Sequence, residues 1–391
     1  MSMSMLETLL NACPHAPDFI WDWPKLMDTP VGTLLSQMEE IRQNPVWHGE
    51  GNVAQHTKLV CEALVTDPAF RLLSVRSQQE LSVAALLHDI GKIPNTKLED
   101  GQWVAPNHST IGARMARELL WKEFDLCGTP ESQSFRETVC LLIRNHMLPG
   151  HILDQTDPEK RLLRMAADKE LCHDFSIEQL CILARADVRG RIAPDTEELL
   201  EKVALCRQEA EADGCLQGSG TFVDDYTRRA YFQGRKVSRE QSLYNDTWGE
   251  VILLSSLPGT GKDTWIRKHA CHLPVVSLDD LRKIMRVSPA DKQGQVAQTA
   301  KEQARKYLRT KQSFIWNATN LTEQMRSKLI SLFESYGAAV RIVYLETDWG
   351  ENLRRNAARA DAVPEHAVED MLGKLVPPQR WEAQYVEWHC V

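Results

Sequence analysis

The sequence predicts two domains of different class, an all-α domain followed by an α/β domain on a mainly parallel sheet. Three observations predict this. Apolar residues recur about every 3.6 positions through roughly the first 200 residues, the period of helices that bury one face. From residue 250 onward, short apolar runs alternate with helical stretches, the pattern of parallel strands covered by helices. The length of 391 residues accommodates two such domains.

Taken in order, the periodic segments are 53–65, 79–90, 108–121, 134–147, 159–172 and 176–188, separated by Gly and Pro. A further helix is expected over 196–212, rich in Glu and Ala. GCLQGSG at 214–220 reads as a flexible break, and 221–248, polar and aromatic without a period, as a connector. Strands are expected at EVILLS (250–255), PVVSL (274–278), SFIWNAT (313–319) and AVRIVYLE (339–346). The expected division is 1–212, a connector over 213–248, and 249–391.

Composition narrows the classes. Hydrophobic content of 43% with 26% charged residues is that of an ordinary globular chain. No run of about 18 apolar residues occurs, so no membrane span is expected. The opening MSMSMLETLL has no basic stretch before its short apolar run, so no signal peptide is expected. Ten scattered cysteines without a C-x-x-C pair read as reduced thiols of a cytoplasmic protein. A net charge of −8 argues against a general nucleic-acid coat. Residues 281–360, however, hold 15 Lys and Arg against 7 Asp and Glu, a local excess of +8. That segment either attracts a phosphate chain or is a solvated basic face.

Polar groups recur on the buried stripe of the N-terminal helices. His56 follows Val53 by three and precedes Val60 and Leu64. His88 follows Leu81, Ala84 and Ala85. His108 leads Ile111, Gly112 and Met115, His146 follows Val139, Leu142 and Ile143, and Asp187 follows Leu180, Leu183 and Ala184. One histidine so placed is ordinarily a satisfied core residue. Five such groups from five helices, with Asp89, satisfy one another by converging on metal, because buried imidazoles and carboxylates need partners. Mixed nitrogen and oxygen donors suit divalent transition ions. Adjacent His88 and Asp89 suit two ions bridged by the carboxylate, about 3.5–4 Å apart, a geometry that clamps a phosphoryl group. His48 and His151 are weaker loop candidates, and His15 and His173 are read as structural.

This pattern, with HDIGK at 88–92 and ARADVRGR around Asp187, resembles the HD-domain phosphohydrolases over about residues 45–200. VWHGEGNVAQHT (46–57) is similar to the opening of the HD domain in some tRNA nucleotidyltransferases. The resemblance implies two divalent transition-metal ions held by His56, His88, Asp89, His108, His146 and Asp187. Lys92, Arg185 and Arg189 become candidate phosphate contacts; each is otherwise a surface or capping cation.

In the second half, SSLPGTGKDTW (255–265) follows an apolar strand and precedes a helix. A phosphate loop works through backbone N–H groups, a helix N-terminus and a lysine. Pro258, Gly259, Thr260 and Gly261 form the turn, and Lys262 reaches the β and γ phosphates. Ser256 occupies the position of the usual first Gly, which costs something only if that position needs positive φ. Asp263 replaces the usual hydroxyl and can ligate Mg²⁺ directly or through water, with Thr264 beside it. Asp279 and Asp280, just past the strand 274–278, offer a carboxylate that either accepts a proton from an acceptor hydroxyl or caps the next helix. In LRRNAARADAVP (353–364), Arg354, Arg355 and Arg359 form either a lid over polyphosphate or a solvated basic helix.

These residues resemble the 5′-hydroxyl polynucleotide kinases of the phage end-healing type over about 249–370. The resemblance implies that Lys262 binds phosphate, Asp279 is the general base, Arg282 grips the acceptor's phosphate, and Arg355 and Arg359 serve the donor. Thr319 and Asn320 match a substrate-side turn, although Ala318 stands where the family has an acidic residue.

The whole chain resembles the bacterial HD-domain polynucleotide kinases: an all-α HD domain followed by an α/β P-loop kinase domain. That implies RNA end healing. One half would clear a 2′,3′-cyclic phosphate or 3′-phosphate. The other would phosphorylate a 5′-hydroxyl with Mg²⁺ and ATP or another NTP. The partners the resemblance implies would be RNA or DNA ends and a separate RNA ligase. Two other readings stand beside it: a small-molecule kinase fused to an HD nucleotidase, and a nucleotide-sensing module with dead sites.

Overall fold

Helix starts in the N-terminal half are set by polar side chains that accept from their own backbone. Asn52 caps Val53–Thr66, Ser74 caps Val75–Leu87, and Ser176 with Gln179 forms a capping box at the head of Ile177–Arg189. The computed structural model describes residues 3–287 and 293–391. Their contacts divide into two compact units, one running through Cys127 with Glu131–Thr221, the other Gly128–Pro130 with Phe222–Val391. Among the described residues no helix is long and apolar enough to cross a membrane.

The first unit is helical apart from one hairpin. Ile177–Arg189 packs against Val53–Thr66, Val75–Leu87 and Thr196–Ala212. His108–Lys122, Pro130–Asn145 and Pro158–Ala166 complete the main helices. Gly190, at the end of Ile177–Arg189, lies so close to the next helix that a Cβ there would sit 2.7 Å from the Val60 nitrogen. That approach brings Asp187 within reach of His56. Three short helices, Met5–Ala12, Trp23–Met27 and Pro30–Met38, precede the segments expected from periodicity. The hairpin pairs β1 (Lys97–Glu99) with β2 (Gln102–Val104) through Asp100 and Gly101, both at positive φ. Asp-Gly is the residue pair such a tight turn requires.

The second unit is built on a five-stranded, wholly parallel sheet in the order β4-β5-β3-β6-β7. Its strands are β3 (Glu250–Ser255), β4 (Val275–Ser277), β5 (Phe314–Asn317), β6 (Ala339–Glu346) and β7 (Tyr385–Cys390). β3 is buried on both faces. Ile252 and Leu254 pack with Trp265, Ile266 and Val343 on one side, and Val251 and Leu253 are fully buried as well. A continuous apolar run is what a central parallel strand needs. The chain leaves β3 for the far edge at β4, then returns to β5. The carboxyl end of β3 is therefore the point where the winding reverses, where such sheets bind ligands. Within the stretch read as a connector, Asp225–Phe232 is a helix of this unit. Arg229 on it pairs with Glu334 at 2.6 Å. Residues 288–292 of the basic segment lie outside the described residues.

Candidate functional site

Three of the four imidazoles in the helical cluster are oriented by the same device. The Nδ1 atoms of His88, His108 and His146 lie 2.8, 2.9 and 2.7 Å from the carbonyls of Ala85, Ala105 and Ile143, each three residues back. A carbonyl only accepts, so Nδ1 carries the proton and Nε2 presents its lone pair inward. His56 differs: its Nδ1 faces the Glu50 carboxylate at 3.0 Å and the Gly190 carbonyl at 3.4 Å.

The inward atoms form two groups. His56, His88 and Asp187 bring one ligand atom each within 4.8 Å of one another, and so do Asp89, His108 and His146. Asp89 faces both. Its Oδ2 lies 3.6 Å from His56 Nε2 and 3.4 Å from His88 Nε2, and its Oδ1 lies 3.4 Å from His108 Nε2. Asp187 Oδ1 lies 3.1 Å from His56 Nε2. Asp89 is buried, and among the described residues neither of its oxygens has an aligned hydrogen-bond donor, although the Lys92 ammonium lies 2.6 Å from Oδ2. A buried carboxylate in that condition, between two sets of inward nitrogens, fits a pair of divalent ions bridged by Asp89.

Electrostatics agree with this fit at Asp89, Asp187 and His146, whereas His56 must give up a proton to ligate. Burial opposes ionisation of Asp89, but Lys92, 2.6 Å away, and the imidazoles hold its carboxyl well below the usual range. Burial likewise opposes ionisation of Asp187, which His56 pulls down instead. Burial pushes His146 down to about 4, leaving it neutral and ready to ligate. At His56 burial works downward, yet Asp187 and Glu50 outweigh it and hold the ring up to about 9. A cleft of about 580 Å³ opens over the cluster.

In the sheet unit, the turn after β3 has the shape of a phosphate cradle. Gly259 and Gly261 have φ of 84° and 101°. A Cβ on Gly259 would lie 2.8 Å from the Asn352 carbonyl oxygen, so both backbone shape and space demand glycine. Asn352 Nδ2 donates to the Pro258 carbonyl at 2.9 Å. Ser256 is not among the positive-φ residues, so replacing the usual glycine carries no strain. Its hydroxyl accepts from Thr260 Oγ1 at 2.8 Å and from Lys262 Nζ at 3.0 Å. Lys262 opens the helix Lys262–His269, and burial lowers its pKa to about 8 although Asp279 and Asp263 favour the charge. Asp263 accepts from Asn317 Nδ2 at 3.0 Å, and Thr264 Oγ1 from Arg267 at 3.1 Å.

Beyond the loop, Lys262 shares a cleft of about 830 Å³ with Asp279, Arg282, Thr319 and Arg359. Ser277 is the cap of the helix Leu278–Met285, its hydroxyl accepting from the Asp280 nitrogen, so Asp279 is released from that task. The Asp279 carboxylate pairs with Arg282 and lies 3.5 Å from Arg359 Nη2. Arg355 pairs with Glu351 at 2.6 Å and leans on the loop, its Nη1 3.5 Å from the Thr260 carbonyl.

Residues 52–187 match the family model for the HD domain, and residues 251–378 match that of an AAA domain. The chain carries an HD domain and a P-loop AAA domain. Together they indicate a metal-dependent phosphohydrolase joined to a P-loop kinase-type enzyme.

Within this frame three expected contacts are corrected. Arg185 and Arg189, read as phosphate contacts of the HD domain, are both turned onto Asp67, at 2.9 and 3.4 Å. The cations that line the HD cleft are Arg42, Lys92 and Arg191. In the AAA domain Asn320, read as contacting the acceptor, is buried, and its amide donates to the Leu254 carbonyl at 2.6 Å. It ties the turn to β3, while Thr319 beside it does line the cleft. His15, His151 and His173 do not line the HD cleft, whereas His48 does and pairs with Glu50 at 2.8 Å. Sequence reasoning missed Glu50 and Gln43. The first sets His56, and the second accepts from Lys92 Nζ at 2.7 Å. The signal for Glu50 was the loop HGEGN, where an acid sits six residues before a candidate ligand.

Proposed function

We propose that this chain is a bifunctional polynucleotide end-healing enzyme. The AAA domain phosphorylates 5′-hydroxyl ends with a nucleoside triphosphate, and the HD domain removes 2′,3′-cyclic phosphate or 3′-phosphate. The observation that carries the kinase half is the single cleft joining Lys262 to Asp279 and to the cations Arg282, Lys283, Arg286 and Arg359. A small neutral acceptor needs no such row of charge, whereas a phosphodiester backbone does.

In the kinase step the 5′-oxygen bonds to the γ phosphorus while its bond to the β-bridging oxygen breaks. The hydroxyl proton passes to Asp279, and the nucleoside diphosphate leaves. Lys262 exchanges Ser256 and Leu257 for the β and γ phosphates, and Arg359 steadies the charge that develops between them. Arg282, now paired with Asp279, turns to the acceptor's own phosphate, which frees the carboxylate to act as base.

In the HD domain, His56, His88 and Asp187 would hold one divalent ion and His108 and His146 a second, with Asp89 between. When bound, such ions lower the pKa of water toward roughly 7 and neutralise phosphoryl charge. Lys92 keeps Asp89 ionised. The backbone carbonyls hold three of the rings in the ligating tautomer.

The test is a kinase assay offering a 5′-hydroxyl oligonucleotide beside free nucleosides. The oligonucleotide is expected to be labelled at its 5′ end. Labelling of nucleosides alone overturns the polynucleotide reading.

A further inference from the structure

Large apolar side chains stand exposed around the mouth of the HD cleft. Val46 is 57% exposed, Trp47 44%, Leu98 58% and Met147 45%. Trp47 and Met147 line the cleft, and Val46 adjoins Trp47 in the chain. Leu98 pairs across the β1–β2 hairpin with Trp103, which lines the cleft too. Asn44 Nδ2 donates to Gln102 Oε1 at 3.4 Å, joining the loop of Trp47 to the strand of Trp103. The cleft therefore carries two indole side chains on segments that are tied together, above a dinuclear ligand set. Arg42, Lys92 and Arg191 line the same space; of the two carboxylates on the hairpin, Glu99 pairs with Lys97 at 2.6 Å, and Asp100 in the turn is not among the residues lining the cleft.

Exposed aromatic surface beside cations is the combination that binds single-stranded nucleic acid. Every base offers a π face to stack, and the backbone follows the positive charge. A small phosphate ester would use the charge but not the aromatic faces. We propose that Trp47 and Trp103 stack the last bases of a single-stranded polynucleotide end and so deliver its terminal phosphate to the HD centre. They thereby set the preference of the hydrolase for polynucleotides over small esters. This rests on the reading of the HD centre as an end-directed phosphohydrolase.

The test uses the full-length protein loaded with Mn²⁺ and two 3′-phosphate oligonucleotides that differ only in the last two nucleotides, base-bearing in one and abasic in the other. Wild type is expected to show a KM at least about tenfold lower for the base-bearing strand. Trp47→Ala and Trp103→Ala each raise that KM with little change in kcat, so the preference falls toward one. Trp47→Phe and Trp103→Phe, which keep an aromatic face, retain most of it, and thermal melting verifies that all four variants fold. If wild type hydrolyses both strands equally, or the alanine variants lower kcat on both alike, the stacking role is overturned and the hydrolase reading stands. If wild type hydrolyses neither strand nor glycerol phosphate, the hydrolase reading itself falls and the stacking role with it.

Discussion

Nucleotide binding should draw a proton onto Lys262. In the free protein burial holds this ammonium at about 8, against an ordinary value of 10.5, with Asp279, Asp263 and Arg359 as the charged groups around it. A bound triphosphate supplies the anion the loop lacks and returns the pKa to its ordinary range. At pH 8.5 the free lysine is then about one quarter protonated and the bound one almost fully, an uptake of about 0.7 proton; at pH 7 the uptake is about 0.1. The affinity should accordingly weaken about 25-fold between pH 7 and 9.5, a range in which the triphosphate's own charge is nearly complete. The sign for stability is the reverse of that for binding. The unfolded chain holds the proton up to 10.5 while the folded one gives it up near 8. The nucleotide-free domain therefore gains stability as pH rises across that window. Titration calorimetry at pH 8.5 in two buffers of different ionisation enthalpy reads the uptake directly. Lys262→Arg, charged throughout, should bind without it. A wild-type protein that binds nucleotide with no proton uptake at pH 8.5, or with affinity flat to pH 9.5, would refute the reasoning.

Other outcomes follow from the same geometry. Asp279→Ala should cut 5′-kinase turnover by at least about 100-fold and leave phosphate-ester hydrolysis intact, while His88→Ala with Asp89→Ala should do the opposite; paired assays on each variant check this. Glu50→Gln should weaken manganese affinity about 10- to 100-fold through His56 without touching His88, His108 or His146, measurable by metal titration followed with a chelating dye. Glu80, buried on Val75–Leu87, has its pKa raised to about 8 by burial and by Asp174, against Arg76 and Gln179. Its contribution is complete below pH 4.5 and lost as pH rises through 8. Between pH 6 and pH 9, Glu80→Gln should therefore gain on wild type by about 2–3 kcal/mol in denaturant melts.

The residues of the candidate metal cluster were legible because each sits three or four residues from Leu, Val, Ile or Ala on a helix of known period, so burial of the polar group could be read directly. The phosphate loop was legible because Gly259, Gly261 and Lys262 do their work locally. What escaped depends on contacts between segments remote in sequence. The period of Ile177–Arg189 puts Arg185 and Arg189 on one stripe, but that the stripe meets Asp67, some 120 residues earlier, is a matter of packing. Asn320 looked like a substrate-side residue because Thr319 and Asn320 together match a substrate-side turn; its φ of 45° and its bond to Leu254 belong to the turn instead. β7 was missed because Glu387 and His389 interrupt its apolar pattern, and the edge position beside β6 tolerates them. The hairpin was readable from Asp100-Gly101 and was passed over because its strands have only three residues each.

The way the four rings are held also decides what substitution can change. Peptide carbonyls are common to every sequence, so no exchange of a neighbouring side chain can release His88, His108 or His146. Only His56 depends on a replaceable carboxylate. Drift or laboratory selection can therefore adjust this centre through one gene position, Glu50, and homologues that favour a different ion should differ there first.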